Sequence, residues 1–241
     1  LASFKKQGMN VVGVEPASLI ADYASQSGIK TINDYFSDRV VSQIVADYGK
    51  ADVITANYMF ANIDNIVDFT KSVESLLAEN GIFVVETGYH PEQFKIKMFD
   101  YIYHEHFSYF TVGVFNYLFD QCGLKMIDVQ KTKPKGGSIR VVIQKYSGSR
   151  ETLPSVSMTI NDEKESSIYE IETYREFSNS LQELKSELIK LLKSIKEKGQ
   201  SVVAFGASHS TTTLIYHFEL GDYIDYIVDD NEAKHGLYSP G

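Results

Sequence analysis

The feature that most constrains the fold is an alternation of short apolar runs with amphipathic stretches along the first half of the chain. The apolar runs predict strands at residues 11–14, 29–32, 52–57 and 82–86. The stretches between them predict helices at residues 17–26, 38–48 and 64–77. This βαβα order with short connections predicts a parallel sheet that is covered by helices on both faces.

The pattern changes in the middle of the chain. A helix is predicted at residues 114–122, and two strands follow it at 125–130 and 138–145 with no helix between them. A helix-free pair at the end of a parallel sheet predicts an antiparallel addition at one edge. Residues 147–166 are rich in Ser, Thr, Glu and Lys and contain Pro154, which predicts a linker.

A second α/β unit is predicted beyond this linker. It begins with a long helix at about residues 168–198, whose apolar stripe is typical of packing. Further elements are predicted at residues 201–205 (strand), 211–218 (helix) and 224–228 (strand). The expected domains are therefore 1–146 and 168–241, joined by the linker 147–167, and the fold class is α/β.

Composition excludes several classes of protein. The net charge of −9 argues against a nucleic-acid-binding surface. No apolar run approaches the length of a membrane span, so a soluble protein is expected. The single cysteine, Cys122, excludes an intramolecular disulfide and fits a reducing cytoplasm.

The first residues resemble the tail of a helix, and the chain stops soon after a strand-like run, which predicts a fragment of a longer protein. The oligomeric state is not predicted.

One segment concentrates groups that transfer protons. Tyr103, His104, Glu105 and His106 are consecutive and are flanked by aromatic residues. Histidine titrates near neutral pH, so such a cluster suits proton transfer. The alternative is that one or two of these histidines are buried and serve only to hold structure. Strand alternation would place His104 and His106 on the face opposite Tyr103 and Glu105.

Other candidate residues follow predicted strands. Glu15, followed by Pro16, ends an early strand, where an acid can accept hydrogen bonds from ribose hydroxyls. Asn57 and Tyr58 end the third strand, and a helix N-terminal turn explains them about equally well.

Two glycine-containing turns add weaker signals. Gly137, Ser138 and Arg140 open a strand, and the arginine is suited to pairing with phosphate oxygens, although a tight turn explains the glycines equally well. Ser208 follows a glycine between a strand and a helix, where a phosphate or substrate loop and a plain turn are about equally plausible.

Four segments in the same order resemble the sugar C-methyltransferases. They are Phe99–Phe110, Gly136–Arg140, Phe205–Ser208 and the residues from Val228 to Gly241. The resemblance implies a Rossmann-like class I methyltransferase domain followed by a second Rossmann-like domain, both incomplete. It implies S-adenosylmethionine as the cofactor and a nucleotide-linked keto-deoxysugar as the substrate. Zinc is expected only in an N-terminal domain absent from this chain, as is the first strand with its glycine-rich turn.

The resemblance also implies roles for individual residues. His106 would be the base that removes a proton next to a ketone, and Tyr103 and Glu105 would position the base or the substrate. These roles imply a loop or bend rather than a strand at residues 103–106, and His104 would be structural. The candidate cofactor-binding residues are Glu15, Pro16, Asn57 and Tyr58. The candidate substrate-binding residues are Asn62, His90, Gly137, Ser138, Arg140 and Ser208.

Two positions depart from the family pattern. Asn62 stands where the family usually has a histidine, and Ser208-His209-Ser210 replaces the common Ser-Thr-Lys. The main alternative from another class is a zinc site built from His104, His106 and His90. A third interpretation is a folded fragment that has no catalytic activity.

Overall fold

The computed structural model describes residues 1–240. The strands are β1 (Gly13–Val14), β2 (Thr31–Ile32), β3 (Ala51–Asn57), β4 (Leu77–Gly88), β5 (Leu124–Thr132), β6 (Ser138–Lys145), β7 (Val203–Phe205) and β8 (Tyr226–Val228). The helices are α1 (Ala2–Lys6), α2 (Ser18–Gln26), α3 (Asp38–Tyr48), α4 (Ile66–Leu76), α5 (His90–Lys95), α6 (Val112–Gln121), α7 (Pro154–Glu165), α8 (Ile171–Glu197) and α9 (His209–Phe218). The predicted α/β class is confirmed.

The strands form three separate sheets. The largest has the order β3-β4-β6-β5, in which β3 and β4 are parallel while β6 is antiparallel to both β4 and β5. The antiparallel addition predicted from the helix-free pair is therefore confirmed. The other two sheets are parallel pairs, β1-β2 and β7-β8.

A cavity of about 520 Å³ lies between the β1-β2 pair and the edge strand β3. Residues of both strands line it, among them Gly13 and Val14 on one side and Val53 and Thr55 on the other. In the described residues no strand bridges β1 and β3, so both strands present backbone groups towards this space.

Local capping explains where two helices begin. The Asn65 side chain accepts a hydrogen bond from the backbone N–H of Asp68 at 3.2 Å, which caps α4. The Thr111 hydroxyl accepts one from the N–H of Val114, also at 3.2 Å, which caps α6.

A buried carboxylate completes the cap of α6. Glu163 is 1% exposed. Its Oε1 accepts hydrogen bonds from the Tyr89 hydroxyl at 2.8 Å and from the Val112 N–H at 2.6 Å. Its Oε2 accepts hydrogen bonds from the Gly113 N–H at 3.0 Å and from the Tyr169 hydroxyl at 2.6 Å. Negative charge is stabilised at a helix N-terminus, so Glu163 ties α7 to the start of α6.

Glu163 belongs to a helix within the segment predicted to be a linker. Pro154 lies in the first turn of α7, where proline is well tolerated. Val156, Thr159 and Glu163 recur at helical spacing and are buried, and α7 packs against β5. The abundant polar residues cover the exposed face and conceal this periodicity in the sequence. The division into domains at 1–146 and 168–241 remains a prediction.

Two apolar cores bear on the site. In the first, the fully buried Phe60 lies within about 6 Å of five other phenylalanine rings, those of Phe69, Phe83, Phe110, Phe115 and Phe119. The second core lies between α8 and α9 and contains Leu181, Leu192 and Phe218. Phe99 belongs to this second core although it precedes α6 in the chain.

Candidate functional site

The segment between α5 and α6, residues 96–111, is held at both ends by tertiary contacts. Phe99 stacks on Phe218 of α9 with ring centroids 4.9 Å apart, and the Thr213 hydroxyl donates to the carbonyl of Ile102 at 2.8 Å. Further along, the N–H groups of Phe107 and Ser108 donate to the carbonyl of Ala61, at 2.9 and 3.2 Å. The intervening loop is therefore positioned by α9 on one side and by the carbonyl of Ala61 on the other.

The cluster of Tyr103, His104, Glu105 and His106 occupies a turn within this segment. The His106 N–H donates to the carbonyl of Tyr103 at 3.0 Å, which confirms the bend implied by the resemblance. The Tyr103 hydroxyl lies 3.2 Å from Nε2 of His106. Glu105 and His104 are exposed, and their side chains lie 3.8 Å apart. The turn therefore separates a half-buried Tyr–His pair from an exposed Glu–His pair.

The surroundings of the Tyr–His pair favour its neutral forms. Burial lowers the pKa of His106, the positive charge of Lys135 lowers it further, and Glu105 acts in the opposite direction. Burial raises the pKa of Tyr103, and the negative charge of Glu105 adds to this rise.

A row of polar side chains crosses the large sheet. Asn57 of β3, Glu86 of β4 and Arg140 of β6 are in register on neighbouring strands. Arg140 donates from Nε and Nη2 to Oε2 of Glu86, at 3.0 and 2.8 Å. The Glu86 side chain is only 12% exposed, and its Oε1 accepts a hydrogen bond from the Thr132 hydroxyl at 3.1 Å. The predicted phosphate ligand Arg140 is therefore already paired with a carboxylate.

Tyr58 extends this row towards the loop. Its hydroxyl donates to Oγ of Ser138 at 3.2 Å, and the ammonium of Lys135 lies 4.2 Å from the centre of its ring. Its φ of 51° is left-handed, a conformation that costs a non-glycine residue on the order of 1 kcal/mol or more. Tyr58 therefore lies with the predicted substrate-binding Ser138.

Gly137 and His90 border the same region. Gly137 has a φ of 115°, and a Cβ there would lie 2.6 Å from Cβ of Glu92, so this position requires glycine. Its carbonyl accepts a hydrogen bond from the Tyr89 N–H at 3.1 Å. The ring of His90 lies 3.1 Å from the hydroxyl of Tyr174, and burial lowers the pKa of this histidine.

The candidate cofactor residues Glu15 and Pro16 lie elsewhere, after β1. Oε1 of Glu15 accepts a hydrogen bond from the Ala17 N–H at 2.9 Å, and the backbone carbonyls of Glu15 and Pro16 both accept from the Asn33 amide. Glu15 directly follows Val14, and Asn57 directly follows Ala56. Both of those apolar residues line the cavity between β1 and β3.

Asn62 and Ser208 approach the loop from two sides. Asn62 is exposed and follows Ala61, whose carbonyl accepts the two loop hydrogen bonds. Ser208 caps α9 and lines a second cavity of about 1240 Å³. Tyr103 and His104 line the same cavity, so the loop forms part of its wall.

Three residues of the region were not predicted as site residues. Glu86 follows an apolar run at the end of a parallel strand, the same signal that pointed to Glu15. Lys135 sits in the turn before β6 and gives no signal in the sequence. His209 replaces a family residue, and its ring stacks on that of Tyr103 with centroids 5.8 Å apart.

The zinc site considered from sequence would need His104, His106 and His90. In the structure His106 contacts Tyr103 and His90 contacts Tyr174, and those three histidines do not converge. Within residues 1–240, the one group of metal-ligating side chains is His104, Glu105 and His209. Among the same residues, no helix is both long enough and apolar enough to cross a membrane.

Comparisons with known protein families agree with the resemblance read from the motifs. Residues 1–129 match a methyltransferase domain, and residues 133–241 match the C-methyltransferase C-terminal domain. The chain is 34% identical to C-methyltransferase NovU of Streptomyces niveus over 242 residues, an alignment that covers all of this chain. The chain spans 58% of the length of that relative.

Two experimental structures illustrate more distant likenesses. A SAM-dependent methyltransferase from Archaeoglobus fulgidus is 9% identical, with a TM-score of 0.49, over 60% of this chain and 80% of that one. The 1,6-didemethyltoxoflavin-N1-methyltransferase of Burkholderia thailandensis, with bound S-adenosylhomocysteine, is 18% identical, with a TM-score of 0.40, over 60% and 64%.

The two family matches follow one another along the chain. Together they include the loop of residues 96–111 and the polar row of the large sheet. The chain therefore belongs to the methyltransferase family whose model matches residues 1–129, and residues 133–241 match the C-methyltransferase C-terminal domain.

Proposed function

We propose that this chain carries the catalytic part of an S-adenosylmethionine-dependent C-methyltransferase. Its substrate is a nucleotide-linked keto-deoxysugar, which is methylated at a carbon next to the ketone through an enolate. The observation that carries this proposal is the half-buried pair of Tyr103 and His106, whose Oη and Nε2 lie 3.2 Å apart in a loop held by α9 and by the carbonyl of Ala61.

The reaction needs a base for a carbon-bound proton and a donor for the resulting oxyanion. His106 accepts the proton on a ring nitrogen, and the electron pair of the C–H bond moves into the enolate. The Tyr103 hydroxyl donates a hydrogen bond to the enolate oxygen, and the negative charge of Glu105 stabilises the protonated form of His106. S-adenosylmethionine, when bound, supplies the methyl group to the carbon that lost its proton.

The polar ends of β1 and β3 fit a nucleoside cofactor. One oxygen of Glu15 accepts the Ala17 N–H, and the second has no hydrogen-bond partner among the described residues, so it is available to a ribose hydroxyl. Asn57 is exposed beside Glu86 in the polar row. We assign Glu15, Pro16 and Asn57 to the cofactor, and Tyr58 to the boundary between cofactor and substrate.

We assign the substrate to the region between the loop and the polar row. Its candidate ligands are Asn62, His90, Gly137 and Ser138, and Arg140 acts through its pairing with Glu86. Ser208 lines the adjoining large cavity, which is roomy enough for the nucleotide portion.

The test measures exchange of the substrate's α-proton with heavy water, in the full-length gene product with a nucleotide-linked keto-deoxysugar. The variant His106→Ala should lose both exchange and methyl transfer by a factor of about 100 or more. Tyr216→Ala, which changes an exposed aromatic residue of α9, is the matched control. Exchange that persists in His106→Ala but is lost in Tyr103→Phe would assign the base to Tyr103 instead.

Cofactor binding is tested separately by calorimetric titration with S-adenosylmethionine. Glu15→Ala should weaken binding about tenfold, because it removes a charged hydrogen-bond acceptor. Unchanged affinity would show that Glu15 serves only to hold the turn before α2 through its hydrogen bond from the Ala17 N–H.

A further inference from the structure

An exposed group of potential metal ligands lies beside the proton-transfer pair. A ring nitrogen of His104, a carboxylate oxygen of Glu105 and a ring nitrogen of His209 all lie within 4.8 Å of one another. His104 and Glu105 come from the loop, whereas His209 is the first residue of α9. The group therefore joins two segments that are distant in the sequence.

These three side chains are free of other polar contacts within residues 1–240. The nearest polar contact of His104 is with Glu105, at 3.8 Å between Nε2 and Oε1. Other histidines are already engaged: His90 with Tyr174, His106 with Tyr103, and His235 with the carbonyl of Asp229. The rings of His104 and His209 also face one another, with centroids 5.6 Å apart.

We propose that His104, Glu105 and His209 form a binding site for a borderline divalent transition-metal ion, of which Zn²⁺ is the representative. Two imidazoles and one carboxylate are ligands that zinc prefers, and they leave coordination positions open. Tetrahedral bonds of about 2.0–2.1 Å place ligand atoms roughly 3.4 Å apart. Ligand atoms that lie up to 4.8 Å apart need to close by at most about 1.4 Å to reach that geometry, and exposed side chains can move this far.

The open coordination positions fit the surroundings of the site. His104 and His209 line the cavity of about 1240 Å³, together with Ser208 and Tyr103. Water or an oxygen of a ligand bound in that cavity can complete the coordination. The bound ion would link the loop to the N-terminal end of α9, and it would hold Glu105 on the side of the turn away from His106. The site shares Glu105 with the proposed function, but zinc binding is measured without substrate, so the two proposals can fail separately.

The test is calorimetric titration of the metal-free chain with Zn²⁺, in a buffer that does not coordinate metals. We expect one equivalent to bind, and His104→Ala and His209→Ala each to weaken binding by at least about tenfold, since even the loss of an outer partner of a metal ligand has that effect. Glu105→Gln should weaken binding in the same direction. His217→Ala, on the same helix as His209 but outside the group, should bind as the unmodified chain does.

Two further measurements make the result decisive. Zinc at about 100 times its dissociation constant should stabilise the unmodified chain by about 2.7 kcal/mol, and it should stabilise His209→Ala much less. Sedimentation in the presence of zinc checks that one copy binds one ion. Equal affinity in His209→Ala, equal losses in His217→Ala, or binding only through zinc-linked association of two copies would each overturn the proposal.

Discussion

The buried carboxylate of Glu163 offers a direct test of how α7 is joined to the start of α6. It accepts four hydrogen bonds, two from backbone N–H groups at the start of α6 and two from tyrosine hydroxyls. In Glu163→Gln the side-chain oxygen can serve two of these donors, whereas the new amide group faces the other two. Of those two, the backbone N–H meets the amide donor to donor, whereas the tyrosine hydroxyl can accept from the amide, and the remaining hydrogen bonds lose the negative charge of their acceptor.

The cost can be worked out from these contacts. One lost hydrogen bond to a charged group costs about 1.5–3 kcal/mol, and the weakening of the other three from charged to neutral hydrogen bonds brings the range to about 3–6 kcal/mol. Relaxation and water entry place the expected loss for Glu163→Gln near the lower end, at about 3 kcal/mol. Glu163→Ala leaves all four donors without this acceptor, and we expect a loss of about 3–5 kcal/mol.

The assay is urea unfolding followed by far-UV circular dichroism, because the chain has no tryptophan to report by fluorescence. Glu165→Gln is the matched control, since Glu165 is an exposed glutamate of the same helix and should change stability by less than about 0.5 kcal/mol. A loss below about 1 kcal/mol in Glu163→Gln, with an unchanged denaturant slope, would refute the reasoning that Glu163 caps α6.

Three further predictions follow from described contacts. Burial and the nearby Glu163 raise the pKa of Tyr169 to about 12 from an ordinary value of 10.0, so its contribution to stability is complete below pH 10 and is lost as the pH rises towards 12. Unfolding midpoints measured across this interval should fall more steeply than in Tyr169→Phe, and parallel curves would contradict the assignment. Phe99→Ala should destabilise the chain by about 3 kcal/mol through loss of a buried ring, as measured by urea unfolding. In the same variant α-proton exchange should slow because the loop loosens. A normal exchange rate would show that the stack on Phe218 does not position the loop. Glu86→Gln should raise the KM for the sugar nucleotide more than it lowers kcat, because Arg140 loses the carboxylate that orients it, and unchanged steady-state kinetics would remove the polar row from the site.

Much of the fold could be predicted because the spacing of apolar residues along the sequence indicates its helices and strands. The amphipathic pattern of α4 and the long apolar stripe of α8 predicted helices within a few residues of their observed bounds. The helix-free pair of β5 and β6 predicted an antiparallel edge. The helix α7 was not predicted, because its buried face is narrow and includes the charged Glu163, which periodicity arguments count as solvent-exposed.

Contacts within the candidate site could be predicted only between residues that are neighbours in the sequence. Tyr103 and His106 are three positions apart, and a single turn brings them together. The pairing of Glu86 with Arg140 depends on the register of β4 against β6, which no local pattern specifies. The approach of His209 to His104 depends on how α9 packs against the loop, and this packing is decided by Phe99 and Thr213.

The seating of Phe99 in the second core has a consequence for protein engineering. Chimaeras that exchange the C-terminal half between relatives are an obvious route to altered substrate choice, with the junction placed in the polar segment before α8. Such a junction separates the ring of Phe99 from the pocket around Phe218 that receives it, and separates the carbonyl of Ile102 from Thr213. Residues 99–102 should therefore be exchanged together with the C-terminal half. A chimaera needs this short internal segment from the same parent that supplies α9.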